Sequence, residues 1–382
     1  MMRIFFILVL ICAIIIGING LIILEKNQKK AATITKSSFG HTAAGEEIYL
    51  YSCANNNGLK LKMITFGAIV VSLEVPDRDG NLSNINLGFN SLEKYLNGHP
   101  YFGATIGRFC NRIAKGKFTL NDSTYSLKTN DGKNHLHGGE QGYDKVVWEA
   151  REYVNEDGAN IEFSYKSYDG EEGYPGNVDI KATYSLTNND ELKIAFAATT
   201  DKATPINLTN HNYWNLNGAG NGDILEHELI INANHYLEVY DDLIPTGGLN
   251  NVEESAFNFR TAHRVGSRFQ DIPKIENLPL GYDHCFVIKK DDLNDSLTFA
   301  AMVKHVETGR IMEVYTTHPG IQFYTGNFLD GGIGSGGFQQ YSGFCLETQH
   351  FPDAPNQPKF KSTIVYPGQE YNEMTIFRFL NE

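Results

Sequence analysis

Residues 177–186, NVDIKATYSL, repeat with a period of two. Val178, Ile180, Ala182, Tyr184 and Leu186 alternate with Asp179, Lys181, Thr183 and Ser185. Successive side chains of a strand point to opposite faces, so this spacing predicts a strand with one buried face. The run NNDE at 188–191 then turns the chain. Alternation resumes in LKIAFAATT with Leu192, Ile194, Phe196 and Ala198, which predicts a hairpin. The stretches NIEFSYKSY and GLKLKMITFGAIVVSLEVP read the same way. Asp-Gly turns recur at Asp79-Gly80, Asp131-Gly132, Asp157-Gly158 and Asp169-Gly170.

Composition agrees with this pattern. Tyr (20), Phe (23) and Gly (37) are abundant, while charged helix formers never gather into a long amphipathic run. Only SLEKYLN, at 91–97, reads as a short peripheral helix. Many short antiparallel strands in one unit of this length imply an all-β fold, a large sandwich or barrel and not a parallel α/β sheet. No second linker or repeat interrupts residues 39–382, which read as one domain, and residues 25–38 read as a polar tether.

The first residues differ. Ile4 to Leu24 form an apolar run about as long as a bilayer-spanning helix needs, roughly 20 residues. It is expected to be an N-terminal hydrophobic helix acting as a signal-anchor or signal peptide. The protein is then exported or membrane-anchored, with membrane contact only through residues 4–24. The net charge of −13 excludes nucleic acid as a partner, because phosphate binding needs clustered Lys and Arg. Beyond Cys12, Cys53, Cys110, Cys285 and Cys345 show neither metal spacing nor a disulfide framework and read as buried free thiols.

Several segments carry polar residues that strands do not need. GRFCNRIAKGKF holds Arg108, Asn111 and Arg112, and NHLHGG holds His135 and His137, which share one side if the segment is extended. TPINLTNHNYWNL sets His211 among Asn207, Asn210 and Asn212, while GYDHCF and GIQFYTGN contribute Asp283 and Gln322. Glu347 ends the apolar start of CLETQHFPDAPNQP, ahead of Pro352, Pro355 and Pro358. Each has a plainer reading: surface or core histidines, an arginine anchoring a loop carboxylate, Asn turn chemistry, a solvated glutamate. A zinc site from His135, His137 and His211 lacks a compact ligand signature, and no phosphate loop or nucleophile elbow is present. Taken together the inventory suits a sugar, with hydroxyl-binding polar groups and stacking faces from Tyr213, Trp214 and Phe323. A carboxylate and a histidine can move protons between oxygens without a cofactor.

These residues carry a resemblance. From about Gly40 to Leu380 the chain resembles the aldose 1-epimerases. The segments VPDRDG, GRFCNRIAKGKF, NHLHGG, DGEEGYPG, TPINLTNHNYWNL, GYDH, PGIQFYTGNFLDG and CLETQHFPDAPNQP occur in that family's order. The resemblance implies a large antiparallel β-sandwich of the galactose mutarotase-like type and a free aldohexose as substrate, with no cofactor or metal. It implies Glu347 as general base and His211 as general acid. It also implies that His137, Asn111, Arg112, Asp283 and Gln322 bind the sugar. On this reading Glu347 sits at a strand end, locked by the proline loop, and His211 starts protonated under the charge of Asp283 or Glu347. A sugar-phosphate epimerase and a non-catalytic carbohydrate-binding protein on the same fold are the alternatives. The first needs extra basic residues in the pocket, where Arg108 and Arg112 are the candidates.

Overall fold

The alternation at 178–198 is realised as two antiparallel strands, Val178–Thr187 and Glu191–Thr200, with Leu186 opposite Leu192 across the turn. The computed structural model describes residues 31–290 and 296–382. Val178, Ile180, Ala182, Tyr184, Leu186, Leu192, Ile194, Phe196 and Ala198 are all buried, as the period of two requires.

Three sheets make up most of the fold. A nine-stranded sheet runs from Glu149–Asn155 at one edge to His263–Arg264 at the other, and the last strand, Glu370–Asn381, lies at its centre. A five-stranded sheet is ordered Thr33–His41, Glu47–Ala54, Lys60–Ile64, Ile69–Pro76, Leu82–Asn84. A second is ordered Pro245–Asn251, Ala233–Val239, Asp283–Ile288, Gly320–Tyr324, Cys345–Gln349. The strand pairs in these sheets are antiparallel. The main core takes Tyr51, Leu61 and Leu73 from one sheet, Phe163, Phe196 and Phe377 from another, and Phe286, Phe323 and Leu346 from the third. Faces that alternate apolar and polar can be buried together only in this layered way. The helix expected at 91–97 is present as Leu92–Leu96, buries Leu92 and Tyr95, and is peripheral.

Two expectations need comment. The run Ile4–Leu24, expected to be an N-terminal hydrophobic helix, lies outside the described residues. Among the described residues no helix is long and apolar enough to cross a membrane. The polar tether is shorter than the sequence suggests. Thr33 to Ser38 belong to an edge strand, Thr33–His41, paired with Glu47–Ala54 from Thr33 opposite Ala54 onward. Only one side of an edge strand touches the core, so its sequence can be as polar as a linker. Cys53, Cys110, Cys285 and Cys345 are buried free thiols.

Candidate active site

Strand Cys345–Gln349 is buried along its whole length, because the sheet is covered on both faces. One face joins the core through Leu346 and Phe323. On the other, Gln322 stands directly opposite Glu347 and next to Cys285, while Tyr324 stands between Cys345 and Asp283. The ladder thus delivers Glu347 and Asp283 to one wall of a cavity of about 260 Å³. Glu347 lies in mid-strand, not at the strand end expected from the prolines, so the ladder on both sides fixes it. The proline loop does a different job. Asp353 donates its backbone N–H to the Arg112 carbonyl and accepts the Ala114 N–H on Oδ1, tying the glutamate's strand to the Arg112 segment.

The opposite wall comes from two loops. His211 is held by its backbone between Gly103 and Ala104. The Asn and Thr residues around it act as clamps: Thr209 Oγ1 donates to the Thr348 carbonyl, and Asn207 exchanges two hydrogen bonds with the His350 backbone. Segment Arg112–Ile113 pairs with His135–Leu136. His137 then turns to φ 50, which breaks the alternation expected of an extended NHLHGG. His135 therefore points away, bonded to the Lys128 carbonyl and the Tyr174 hydroxyl, and only His137 reaches the cavity.

His137, His211, Asn111, Arg112, Asp283 and Glu347 all line this cavity. Gln322 does not line it. Its Nε2 donates to Asp283 Oδ1 at 2.6 Å, which places it behind the aspartate. Arg112 Nε donates to Asp131 Oδ2 at 2.8 Å, so the plainer reading of an anchoring arginine and the cavity-lining one both hold. Of the expected stacking faces only Tyr213 is on the cavity. Trp214 and Phe323 face the core, since neighbours along a strand point to opposite sides. Tyr101, Tyr324 and Phe328 supply the aromatic walls instead. Tyr324 could have been found from its i+2 relation to Gln322, whereas Tyr101, at φ 63, had no signal in the sequence.

Glu347 Oε2 lies 3.6 Å from His211 Nε2, and both residues are buried. Burial pushes the Glu347 carboxyl well above its usual range, and the charge of Asp283 pushes the same way. Burial also lowers His211 to about 3. Both shifts favour a proton on Glu347 over one on His211. Burial thus works against the expectation that neighbouring carboxylates keep His211 protonated. His137 is likewise held well below its ordinary value by burial and by His211. Its Nδ1 accepts the Asn111 N–H at 3.2 Å, leaving Nε2 as a donor. This hydrogen bond also opposes a metal. Ligand atoms of His137, His211 and Glu347 lie within 4.8 Å of one another. Ligation through His137 Nε2 would put a proton on Nδ1, against the Asn111 N–H.

The layered antiparallel sheets and this cavity define the class of galactose mutarotase-like β-sandwich proteins. The structure aligns with galactose 1-epimerase from Lactobacillus acidophilus at a TM-score of 0.80 and 26% identity, covering 92% of this chain and 99% of that one. An aldose epimerase homologue from C. elegans gives 0.78 at 26% identity, covering 92% and 99%. Residues 49–378 match the family model for aldose 1-epimerase. Galactose mutarotase of Sus scrofa is 45% identical over 350 residues, 91% of this chain and 98% of that protein. Aldose 1-epimerase of Escherichia coli is 37% identical over 346 residues, 88% and 97%. The chain belongs to the aldose 1-epimerase family.

Proposed function

We propose that the protein is an aldose 1-epimerase, an isomerase that interconverts the α and β anomers of free hexoses such as galactose and glucose. The observation that carries this is the spacing of Glu347 Oε2 and His211 Nε2, 3.6 Å apart on the wall of the cavity. The ring oxygen and the C1 hydroxyl share one carbon, so this pair can address both at once.

The proton count closes. The cycle starts with one proton on Glu347, the group both shifts favour. Its transfer to His211 Nε2 leaves a carboxylate and an imidazolium, a change that sugar hydroxyls bound beside the pair favour. The carboxylate then takes the C1 hydroxyl proton while the imidazolium protonates the ring oxygen. The C1–O5 bond breaks and an aldehyde forms. Glu347 is again protonated and His211 neutral. Rotation about C1–C2 and closure by the reverse steps give the other anomer. His137 Nε2, Arg112, Asp283 and Asn111 hold the hydroxyls, and Gln322 holds Asp283 in place.

Little supports a sugar-phosphate substrate. Arg108 is buried away from the cavity, with its guanidinium on Ser167 and the Pro175 and Gly176 carbonyls. Arg112 is engaged by Asp131, and Asp283 would repel a phosphate. The test is polarimetry on freshly dissolved α-D-galactose and α-D-glucose. The expected result is an accelerated approach to the equilibrium rotation, unchanged by EDTA. A rate equal to the uncatalysed one would overturn the reading, and loss on chelation restored by zinc would make the histidines metal ligands. We also propose that the apolar run Ile4–Leu24 directs the protein to or across a membrane. Recovery of the uncleaved chain wholly in the soluble cytosolic fraction would refute this.

A further inference from the structure

Two aromatic rings stack on the His211 imidazole. The Tyr101 ring is stacked on it at 5.6 Å and 26°, and the Tyr213 ring at 5.0 Å and 22°. Its edges meet Glu347 at Nε2 and Cys345 Sγ at Nδ1, the latter at 3.5 Å. His137 approaches edge-to-face at 5.2 Å. Glu347 is therefore the one carboxylate in contact with it among the described residues, with Asp283 beyond. The cations Arg112 and Lys145 are engaged by Asp131 and Asp144. His99, a neighbour of Lys145, is lowered to about 3, chiefly by burial, and adds no charge. Burial likewise keeps the Tyr101 and Tyr213 phenols and the Cys345 thiol uncharged.

Tyr101 reaches its place at φ 63, a left-handed conformation that an aromatic residue adopts only when its surroundings impose it. The strain sets its ring parallel to the imidazole. An imidazolium is attracted to the negative face of an aromatic ring, most strongly where water is excluded.

We propose that Tyr101 is a positioning residue for His211, forming with Tyr213 an aromatic clamp that fixes the imidazole plane and stabilises its protonated form during proton transfer. The proposal rests on His211 being the acid of the reaction. Proton transfer from Glu347 creates a cation in a cavity that disfavours it. The two π faces lower that cost without accepting the proton themselves, so they favour the transfer and do not trap its product.

The test replaces Tyr101 in the full chain by Leu, by Phe, and by ring-fluorinated phenylalanines that keep the shape of Phe but weaken its negative face. Polarimetry gives kcat and KM, and ¹⁵N-histidine spectra give the protonation of His211 independently of turnover. Tyr101→Leu is expected to lower kcat by ~10–30-fold with KM changed by less than about threefold, the size of a desolvated cation–π contact. Protonation of His211 and the high-pH limb of the rate both move to lower pH. Tyr101→Phe restores both, and fluorination removes them stepwise. If Leu fails to fold, the fluorinated series decides, because its members fold as Phe does. Wild-type kcat throughout that series, or a Phe variant as slow as Leu, overturns the clamp. An intact kcat in His211→Asn would instead overturn the assignment of the acid, so the two failures are distinguishable.

Discussion

Glu347 and Glu373 each face a buried imidazole, yet the two carboxyls are shifted in opposite directions. Glu347 lies 3.6 Å from His211 Nε2, and its Oε2 is buried with no hydrogen-bond partner. Glu373, on the central strand Glu370–Asn381, lies 2.8 Å from His350 Nε2 through Oε1 and accepts the Thr317 hydroxyl on Oε2. Burial pushes Glu373 up as well. The charge of His318 and the hydrogen bonds from His350 and Thr317 more than offset it, holding Glu373 at about 2. At Glu347 only the more distant Arg112 offsets burial. Neighbouring positive charge together with hydrogen bonds to the ionised form therefore decides how far a buried carboxyl holds its proton. A satisfied carboxylate is a structural tie. One left unsatisfied beside an open cavity holds a proton it can exchange with a ligand.

The sharpest way to break this contrast is through rate. Glu347→Gln and His211→Asn are each expected to lower kcat by ~10²–10⁴-fold with the fold intact by circular dichroism. In the proposed mechanism one proton circulates through both groups, so the double variant should be little slower than either single one. Retention of kcat in Glu347→Gln would remove the base and the mechanism with it. Glu373 is expected to act elsewhere. Glu373→Ala leaves His350 buried without its partner and should cost about 3 kcal/mol of stability in urea unfolding. Its kcat should stay within about threefold of wild type. A large fall in kcat with stability unchanged would mean that the second pair takes part in catalysis.

The difference between the pairs was only partly legible in the sequence. The period of two at Val178–Leu186 and Leu192–Ala198 is a local steric property, and it carried directly into paired strands. Glu347, His211 and His137 stand in segments rich in polar residues that strands do not need, and all three meet at one cavity. What the sequence hid depends on backbone conformation and enclosure. One positive φ at His137 separates it from His135, and another, at Tyr101, places a ring on His211. Trp214 and Phe323 were misassigned because alternation gives two faces but not which of them meets the cavity. The lowering of His211 was hidden because desolvation is set by the walls of the site and not by neighbours in sequence. Glu373 drew no notice, since nothing near it in sequence distinguishes it from a solvated strand glutamate.

Neighbouring charges offer a gentler perturbation. Asp283 raises Glu347 and Arg112 lowers it, and neither is a cause of the Glu373 shift. Arg112→Ala should therefore drive the Glu347 proton affinity further up, while Asp283→Asn should bring it down. The high-pH limb of the rate should move in those directions. In the proposed mechanism both residues also hold sugar hydroxyls in ground and transition states, so KM should rise ~10-fold in each. Equal, same-direction movement of the limb in the two variants would contradict the electrostatic account of Glu347.

The smallest effect separates the pairs through stability alone. Glu347 is raised on folding, so the folded state prefers its neutral form. The stability this group contributes is full below the unfolded value of 4.5 and falls as pH rises toward the folded value. Glu373 is lowered on folding, so its contribution is full above 4.5 and is lost as pH falls toward about 2. Glutamine does not titrate, so each Glu→Gln variant isolates one slope. Glu347→Gln should match wild type near pH 4 and become the more stable protein by about 1 kcal/mol at neutral pH, because the amide has neither a charge to bury nor a proton to hold that the unfolded chain has released. Glu373→Gln should be the less stable protein at neutral pH and converge on wild type as the pH approaches 2. Urea unfolding across that range reads both differences from one set of samples. Slopes of the same sign would show that Glu347 is ionised in the resting protein. The proton would then sit on His211 from the start, and the aromatic clamp would stabilise the resting enzyme as much as the transfer.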